Sequence, residues 1–187
     1  MSRTNFPHTA SPLIELVSTK VLFRDAVLDD LMERGLSGLP SRGVFTALWP
    51  QPHGGVSGQF LIRSKGADEI AGLASFHHRT INGRHISCSF AVDASKVDTP
   101  ALIHAYALAV NYAFAMWNLH KVNFWTVEES IPLEAVHPKV VKEGTLTEYL
   151  LDEGRLRDVH IFAVFRDDWD REGIDYVEGI VGEPAAG

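Results

Sequence analysis

The stretch 95–114, SKVDTPALIHAYALAVNYAF, is typical of a loop followed by a long apolar helix. Thr99 belongs to the residue types that cap helices, and Pro100 suits the first helical position, where a missing N–H does little harm. Because apolar residues surround most of its circumference, the helix is predicted to run to about Asn118 and to pack broadly against a sheet. The loop before this helix contains no glycine.

The composition around this helix is that of one soluble domain. The chain has 187 residues, of which 45% are hydrophobic and 22% charged. We expect a loose N-terminus over 1–12, a folded domain over 13–170 and an acidic tail over 171–187. A single cysteine, Cys88, excludes an internal disulfide, and the N-terminus lacks an apolar signal region, so the cytoplasm is the expected compartment. No segment is long enough for a membrane span, and no membrane partner is expected.

Charge is spread unevenly within a net charge of −7. Residues 1–127 carry 11 basic and 9 acidic side chains, whereas residues 128–187 carry 6 and 15. Binding to nucleic acid depends on clustered Lys and Arg that neutralise phosphates. The balance therefore disfavours a tRNA partner, except through a local basic patch.

The remaining segments alternate between helical and strand patterns. A strand in 13–24 and a helix in 25–36 come first, and breaker-rich loops then flank the short apolar stretch 44–49. Three strand-like segments follow, and Asn82-Gly83 between the last two predicts a two-residue type I′ hairpin turn. After the long helix come a short strand, a short helix near 129–136 and two strands around the turn DEGR. This order predicts a single α/β domain with a mixed, largely antiparallel twisted sheet flanked by helices.

The hairpin register decides which side chains share a face. A two-residue turn sets His78 opposite Ser87 and places His85 on the same face. It sends His77 to the opposite face, so the two adjacent histidines are not expected to chelate one metal. No HExxH motif and no paired cysteines occur in the sequence, and no metal is predicted.

Three segments resemble the GCN5-related N-acetyltransferases, especially the branch that acetylates ribosomal-protein N-termini and antibiotics. They are NYAFAMWNLHKVNFWTV (111–127), KEGTLTEYLLDEGRLRDVHIFAVFRDDW (142–169) and KVLFRDAVLDDL (20–31). The resemblance covers about 14–169. It implies an acyltransferase whose sheet is splayed where 90–93 and 121–126 run side by side, with the donor's pantetheine arm entering that splay.

In this family a loop of the form Arg/Gln-x-x-Gly-x-Gly/Ala holds the pyrophosphate of acyl-coenzyme A through backbone N–H groups. The matching small positions fall here on Asp98, Pro100 and Leu102. Asp98 adds a negative charge and Pro100 lacks an amide donor, and each lost charge-assisted hydrogen bond costs about 1.5–3 kcal/mol. We therefore expect a phosphopantetheine-linked acyl thioester on an acyl carrier protein as donor, in preference to free coenzyme A.

The implied reaction is N-acyl transfer to a small-molecule amine in a biosynthetic pathway. Three alternatives remain open: an ordinary acetyl-coenzyme A-dependent N-acetyltransferase, an aminoacyl-tRNA-dependent transferase and a non-catalytic binding module. The predicted donor contacts are Phe90, Ala91, Val92, Thr99, Ala101 and Leu102. The predicted docking face for a carrier protein consists of Arg63, Lys65, Arg79, Arg84 and Lys96.

Acyl transfer to an amine requires a group that takes the amine's proton and one that assists the leaving thiolate. The resemblance places the family's frequent carboxylate base at Ser87, and serine cannot accept a proton unaided. His78 or His85 is therefore the predicted base, since imidazole titrates near neutral pH. Ser130 and Tyr149 are the candidates for the acid. Two aromatic residues that precede the sheet are predicted to contact the substrate: Phe45 and Trp49.

Overall fold

The computed structural model describes residues 5–21, 24–49 and 55–182. The strands are β1 (Ile14–Ser18), β2 (Val56–Ser64), β3 (Glu69–Thr80), β4 (His85–Val92), β5 (Lys121–Thr126), β6 (Val141–Asp152) and β7 (Arg155–Phe165). The helices are α1 (Arg24–Glu33), α2 (Arg42–Leu48), α3 (Thr99–Met116), α4 (Arg166–Asp168) and α5 (Ile174–Gly182), with a 3₁₀ turn at Pro132–Ala135 and a π-helical turn at Trp169–Gly173. The long predicted helix is confirmed as α3, whereas α2 lies where loops and a short apolar stretch were predicted.

The seven strands form one sheet in the order β1-β2-β3-β4-β5-β7-β6. Only β4 and β5 run parallel, and every other neighbouring pair is antiparallel. The predicted fold class, a single α/β domain with a mixed, largely antiparallel sheet, is confirmed. The parallel pair is short, since it holds only His85↔Lys121, Ile86↔Val122 and Ser87↔Asn123. Beyond Ser87 and Asn123 the two strands separate, so the sheet is open at its centre.

Consecutive residues of β3 belong to different cores, which shows that helices cover both faces of the sheet. Leu73 packs with α1 and α2 in one buried cluster, where Leu31 and Phe45 lie. Its neighbour Ala74 packs with α3 and α5 in a larger cluster. The two layers hold the open centre of the sheet between them.

The predicted hairpin between β3 and β4 exists, but its register is only partly correct. Thr80 pairs with His85 as predicted, whereas His77, not His78, lies opposite Ser87. The register shifts between His77 and Thr80, and His78 has a φ of 52°. An extra residue in one strand forms a bulge that redirects the side chains next to it. The predicted opposition of His78 and Ser87 is therefore wrong.

The type I′ turn predicted at Asn82-Gly83 is absent there, and the turn between β6 and β7 has the positive φ values of that type instead. The β3–β4 turn spans four residues, and among them only Arg84 has a positive φ, of 48°. A type I′ turn needs positive φ at both central residues, so Asn82-Gly83 does not form one. Glu153 and Gly154, between β6 and β7, have φ values of 47° and 79° and satisfy that requirement.

Both ends of the described chain are attached to the domain. Residues 171–182 complete the π-helical turn and form α5, where Ile174, Val177 and Ile180 are buried against the core. The expected acidic tail is therefore a packed helix over 171–182, because apolar residues recur on one face of it. At the other end, the Asn111 side chain donates to the carbonyl of Phe6 at 2.7 Å, so residues 5–12 are not loose. Residues 1–4 and 183–187 lie outside the described residues.

Arg166 of α4 closes the carboxyl end of α3. Its guanidinium donates to the carbonyls of Phe114, Trp117 and Leu119 at 2.6–2.8 Å. The last carbonyls of a helix have no partner within the helix. Arg166 therefore pairs with the carbonyl of Phe114 in the last turn and with two carbonyls just beyond the helix, where the chain turns towards β5.

At the far edge of the sheet, β6 is interrupted rather than regular. Its pairing with β7 shifts register twice, between Lys142 and Gly144 and between Leu146 and Leu150. Glu148, within the second shift, has a φ of 52°. Among the helices in the described ranges, none has the length and apolar character required to span a membrane.

Candidate active site

The separation of β4 and β5 creates a slot through the centre of the sheet. The slot is a cavity of about 400 Å³. Phe90 and Val92 of β4 line one wall, and Trp125 and Val127 at the end of β5 line the other. Trp49, the residue that follows α2, lines the slot as well. The splay predicted beside 90–93 is thus present.

Two further cavities share lining residues with the slot. The α3-side cavity, of about 920 Å³, shares Leu102, Tyr106 and Val127 with it. The α2-side cavity, of about 610 Å³, shares Trp49 and Ser89 with it. The three spaces therefore adjoin one another around the open centre of the sheet, and together they are called the passage.

An aromatic stack forms the α3 face of the slot. The rings of Phe90 and Tyr106 lie parallel, with an angle of 7° and centroids 3.9 Å apart, and Phe124 lies 5.4 Å from Tyr106. Burial raises the pKa of the Tyr106 phenol well above its usual value. Tyr106 was not predicted as a site residue, because an aromatic residue inside an apolar helix is typical of a core.

The start of α3 carries its own anion. Asp98, not Thr99, is the N-cap residue, and its carboxylate accepts the N–H of Ala101 at 2.9 Å. The expected capping by Thr99 is therefore wrong by one residue. Pro100 lies in the first turn and has no N–H. The amide that a phosphate would use at this helix start already has a negatively charged partner.

A second carboxylate holds the loop that follows β4. Asp93 is fully buried and accepts the backbone N–H groups of Ser37 at 2.8 Å and Ser95 at 2.9 Å, as well as the Ser95 hydroxyl at 2.6 Å. These donors hold the pKa of the Asp93 carboxyl well below its usual range. A Cβ at Gly38 would collide with the carboxylate, so this close approach requires glycine. Sequence reasoning missed Asp93, because the contact with the N–H of Ser37 comes from a distant loop.

The predicted donor contacts divide between the cavities and the core. Phe90 and Val92 line the slot, and Thr99 and Leu102 line the α3-side cavity. The structure does not bring the two predicted alanines into this passage. Ala91 is fully buried in the cluster beneath α1 and α2, and Ala101 belongs to the core beneath α3.

The α3-side cavity is acidic. Arg157 is the one Arg or Lys side chain among its described lining residues, and four carboxylates face it: Glu128, Glu129, Glu134 and Asp158. Buried His160 links Glu129 to this wall through a contact of 3.3 Å between Nε2 and Oε1. Ser130 lies in this cavity as well. A ligand with several phosphates meets unfavourable charge here.

The five cations predicted to dock a carrier protein lie in two groups. Arg63, Lys65 and Lys96 lie near the start of β3, and Arg63 and Lys96 each form an ion pair with a glutamate. Arg79 and Arg84 lie at the other end of this strand, which has 12 residues. A strand of that length spans roughly 35 Å. The cations therefore do not form one continuous face.

A chain of hydrogen bonds links two histidines to β4 in the α2-side cavity. His77 Nε2 lies 2.8 Å from the Ser89 hydroxyl, and His77 Nδ1 lies 2.9 Å from His78 Nδ1. The expectation that His77 and His78 point apart is wrong, because the bulge turns His78 back towards its neighbour. Burial lowers the pKa of His77 to about 3, with a smaller contribution from His78. His77 is therefore neutral at physiological pH.

The geometry of this chain assigns the protons. The Ser89 hydroxyl has the Leu48 carbonyl as acceptor at 3.5 Å, so it accepts from His77 Nε2. His77 Nδ1 then carries no proton and accepts from His78 Nδ1. This assignment, made from the hydrogen-bond network, leaves the lone pair of neutral His78 on Nε2. The His78 ring is exposed and lines the α2-side cavity.

The other predicted catalytic residues lie in or near the same cavity. His85, Ser87 and Tyr149 line it together with His78, whereas Ser130 lies on the opposite face of the sheet. His85 Nδ1 is 3.1 Å from the Thr80 hydroxyl. The structure thus brings together four of the five predicted catalytic candidates.

Helix α2 and the residue that follows it supply the two aromatic side chains that were predicted to contact substrate. Phe45 and Trp49 are stacked, with centroids 4.7 Å apart, and both are 4% exposed. Ser41 caps this helix and donates to buried Asp152 of β6, which fixes the helix against the β6–β7 hairpin. Phe45 lines the slot, and Trp49 lines both the slot and the α2-side cavity.

Two residues that line the α2-side cavity each have a buried polar atom without a hydrogen-bond partner among the described residues. They are Nε1 of Trp49 and Oδ1 of Asn123. Asn123 is 9% exposed and belongs to β5, at the point where the slot begins. Buried polar atoms are nearly always paired in folded proteins, so these two mark a place where a ligand can complete the pairing.

The titratable side chains of the described residues do not form a metal site. Within residues 5–21, 24–49 and 55–182, no group of three or more His, Cys, Asp or Glu side chains could hold a metal ion. Cys88 is buried, and burial raises the pKa of its thiol well above the usual value, so it is not an activated nucleophile.

This architecture is the fold of the GCN5-related N-acetyltransferases. Solved structures similar to the chain include a mutant of spermidine N-acetyltransferase SpeG from Vibrio cholerae, with 17% identity over 84% of this chain and 96% of that chain and a TM-score of 0.60. The same enzyme in complex with manganese ions gives 16% identity, coverage of 84% and 95% and a TM-score of 0.59. The N-terminal domain of ribosomal-protein-alanine acetyltransferase from Clostridium acetobutylicum ATCC 824 gives 16%, coverage of 60% and 86% and a TM-score of 0.50. No family model and no curated protein matches the sequence.

Proposed function

We propose that this protein is an N-acetyltransferase that moves an acetyl group from acetyl-coenzyme A to the primary amine of a small molecule. The observation that carries the proposal is the passage through the sheet. A thioester entering from the α3 side and an amine entering from the α2 side meet in the slot between β4 and β5. The fold neighbours support it, since their names describe acetyltransferases that include one for spermidine.

The chemistry follows from the groups around the slot. The amine nitrogen attacks the thioester carbonyl carbon, a new C–N bond forms, and collapse of the tetrahedral intermediate breaks the C–S bond. His78 Nε2 takes the proton that the nitrogen loses, and the lone pair needed for this is held in place by His77. Tyr106 keeps its phenolic proton and donates a hydrogen bond to the departing sulfur.

The donor's pantetheine arm would pair with β4. Beyond Ser87 the β5-facing edge of β4 has no strand partner among the described residues, so its N–H and C=O groups are free for amide groups of the donor. The nucleotide end is held poorly, because Asp98 occupies the amide of Ala101 and the α3-side cavity is acidic. We therefore expect weak binding of the coenzyme, with most affinity from the pantetheine arm.

The preference for a carrier protein loses its support in the structure. Carrier proteins are acidic, and the expected basic face is divided between two ends of β3. The α3-side mouth, where a carrier would deliver its arm, carries four carboxylates. Free acetyl-coenzyme A is therefore the proposed donor.

The test compares turnover in two histidine variants. His78→Gln removes the base, and we expect kcat to fall by about 10²–10⁴-fold, measured as thiol release from acetyl-coenzyme A with a panel of primary amines. His120→Gln is the matched control, since His120 is not among the residues that line the passage and its ring meets that of Phe165 edge to face. Full turnover in His78→Gln contradicts the assigned base. Absence of thiol release by the unaltered protein with every amine contradicts the function.

A further inference from the structure

In contrast to the adjoining slot, which Glu128 and Asp152 line, the α2-side cavity has no anionic group among its described lining residues that could pair with a cationic amine. Among its described lining residues there is no Asp or Glu. An alkylammonium ion that leaves water needs an opposite charge or several acceptors to offset the lost hydration. This cavity therefore does not suit a polyamine or a simple alkylammonium ion.

The two unpartnered buried atoms define a complementary pattern. Trp49 Nε1 is a donor and requires an acceptor on the ligand, whereas Asn123 Oδ1 is an acceptor and requires an N–H. A neutral amine offers N–H groups to Asn123. A carbonyl or ring nitrogen elsewhere in the same molecule offers the acceptor for Trp49.

The walls of the cavity are aromatic. Trp125 and Tyr149 line it with 38% and 53% of their surface exposed, and their rings meet edge to face with centroids 6.4 Å apart. Aromatic rings prefer such offset or edge-to-face neighbours. A flat aromatic ligand can thus pack against side chains that are now open to solvent.

From these observations we propose that the acceptor is a weakly basic aromatic amine with a hydrogen-bond acceptor on its ring, selected by Trp49 and Asn123. The inference rests on the proposed function and adds the substrate class. An amine attached to an aromatic ring is neutral at pH 7, so it enters without a counter-ion and already carries the lone pair that attacks the thioester. His78 then takes only the proton released after attack.

The decisive experiment measures binding of two matched amines to the full-length protein by calorimetry, without donor. 4-Aminobenzamide and 4-(aminomethyl)benzamide differ by one methylene, but only the second is charged at pH 7. We expect 4-aminobenzamide to bind at least tenfold more tightly. A tenfold difference in affinity corresponds to the loss of about one buried hydrogen bond. Spermidine serves as a polycationic probe and should not bind in the cavity.

Substitutions of Asn123 and Trp49 test whether these residues contact the bound amine. Asn123→Leu and Trp49→Phe each remove one polar partner and should weaken binding of 4-aminobenzamide by about tenfold. Asn123→Asp places a carboxylate in the cavity and should reverse the preference in favour of 4-(aminomethyl)benzamide. Asn82→Asp adds the same charge in the exposed β3–β4 turn and should leave both affinities unchanged.

The outcomes separate the two proposals. Tighter binding of either cationic amine by the unaltered protein, or no binding of 4-aminobenzamide, overturns the inference. Acetylation of spermidine with no acetylation of 4-aminobenzamide overturns it while the proposed function stands. Binding of 4-aminobenzamide with the expected variant pattern, but without any acetyl transfer, supports the site and contradicts the proposed function.

Discussion

Replacement of Asp98 by serine should tighten binding of coenzyme A. The Asp98 carboxylate accepts the N–H of Ala101 at 2.9 Å. A phosphate oxygen bound at the start of α3 would compete with the carboxylate for this N–H. Serine still caps the helix, so the substitution removes the charge with little loss of helix stability. Asp98 is exposed, so water screens its charge, and an interaction of about 1 kcal/mol at contact distance is appropriate. Since 1.4 kcal/mol is tenfold in affinity, we expect a gain of about five- to tenfold.

Calorimetric titration with acetyl-coenzyme A and with acetyl-pantetheine measures this gain. Acetyl-pantetheine lacks the phosphates, so its affinity should not change in Asp98→Ser, whereas the affinity for acetyl-coenzyme A should rise and the gain should shrink at high salt. Glu33→Gln removes an exposed carboxylate from α1 and controls for net charge. Equal gains for both donors, or no gain for acetyl-coenzyme A, would refute the assignment of Asp98 as a competitor of phosphate.

Three further expectations concern stability. Because the pKa of folded His77 is about 3 and that of an unfolded histidine is 6.5, protons bind mainly to the unfolded chain below 6.5. The free energy of unfolding is therefore highest above pH 6.5, and the contribution of His77 lowers it by about 1.4 kcal/mol per pH unit towards pH 3. In urea unfolding from pH 7 to 4.5, the unaltered protein should lose stability more steeply than His77→Gln. Arg166→Met removes three hydrogen bonds and leaves the carbonyls of Phe114 and Leu119 without this donor, while that of Trp117 keeps the N–H of Leu119. The substitution should lower the unfolding free energy by about 2–4 kcal/mol, and an unchanged melting temperature would exclude the capping role. Asp93→Asn removes charge-assisted bonds and should cost about 2–4 kcal/mol in urea unfolding, and unfolding at the original urea concentration would contradict that.

The fold could be predicted from the sequence where pattern and local propensity agree. The long helix 99–116, the strand pairs on either side of it and the mixed sheet follow from apolar periodicity and turn residues. Helix α2 was missed because its seven residues lie between segments rich in proline and glycine, and its Ser41 cap is completed by Asp152 from a distant strand. Local sequence does not encode that partner.

The candidate site was only partly predictable, because its geometry depends on a bulge. The sequence indicates polar residues near the β3–β4 turn, and His78, His85 and Ser87 do line one cavity. The bulge at His78 then reverses the roles expected for His77 and His78. The ring of His77 is held by Ser89 from the next strand. A register that is fixed by such cross-strand contacts cannot be obtained from a turn motif alone.

The interruptions in β6 affect how copies of this protein meet one another. A long, regular edge strand presents free N–H and C=O groups at even spacing, to which a second sheet can add. Here the two register shifts and the positive φ at Glu148 break that spacing, and Lys142 and Glu143 place charges beside it. The edge is thereby a poor template for sheet extension. Deletion of a bulge residue would make β6 regular, and its exposed edge would then favour aggregation.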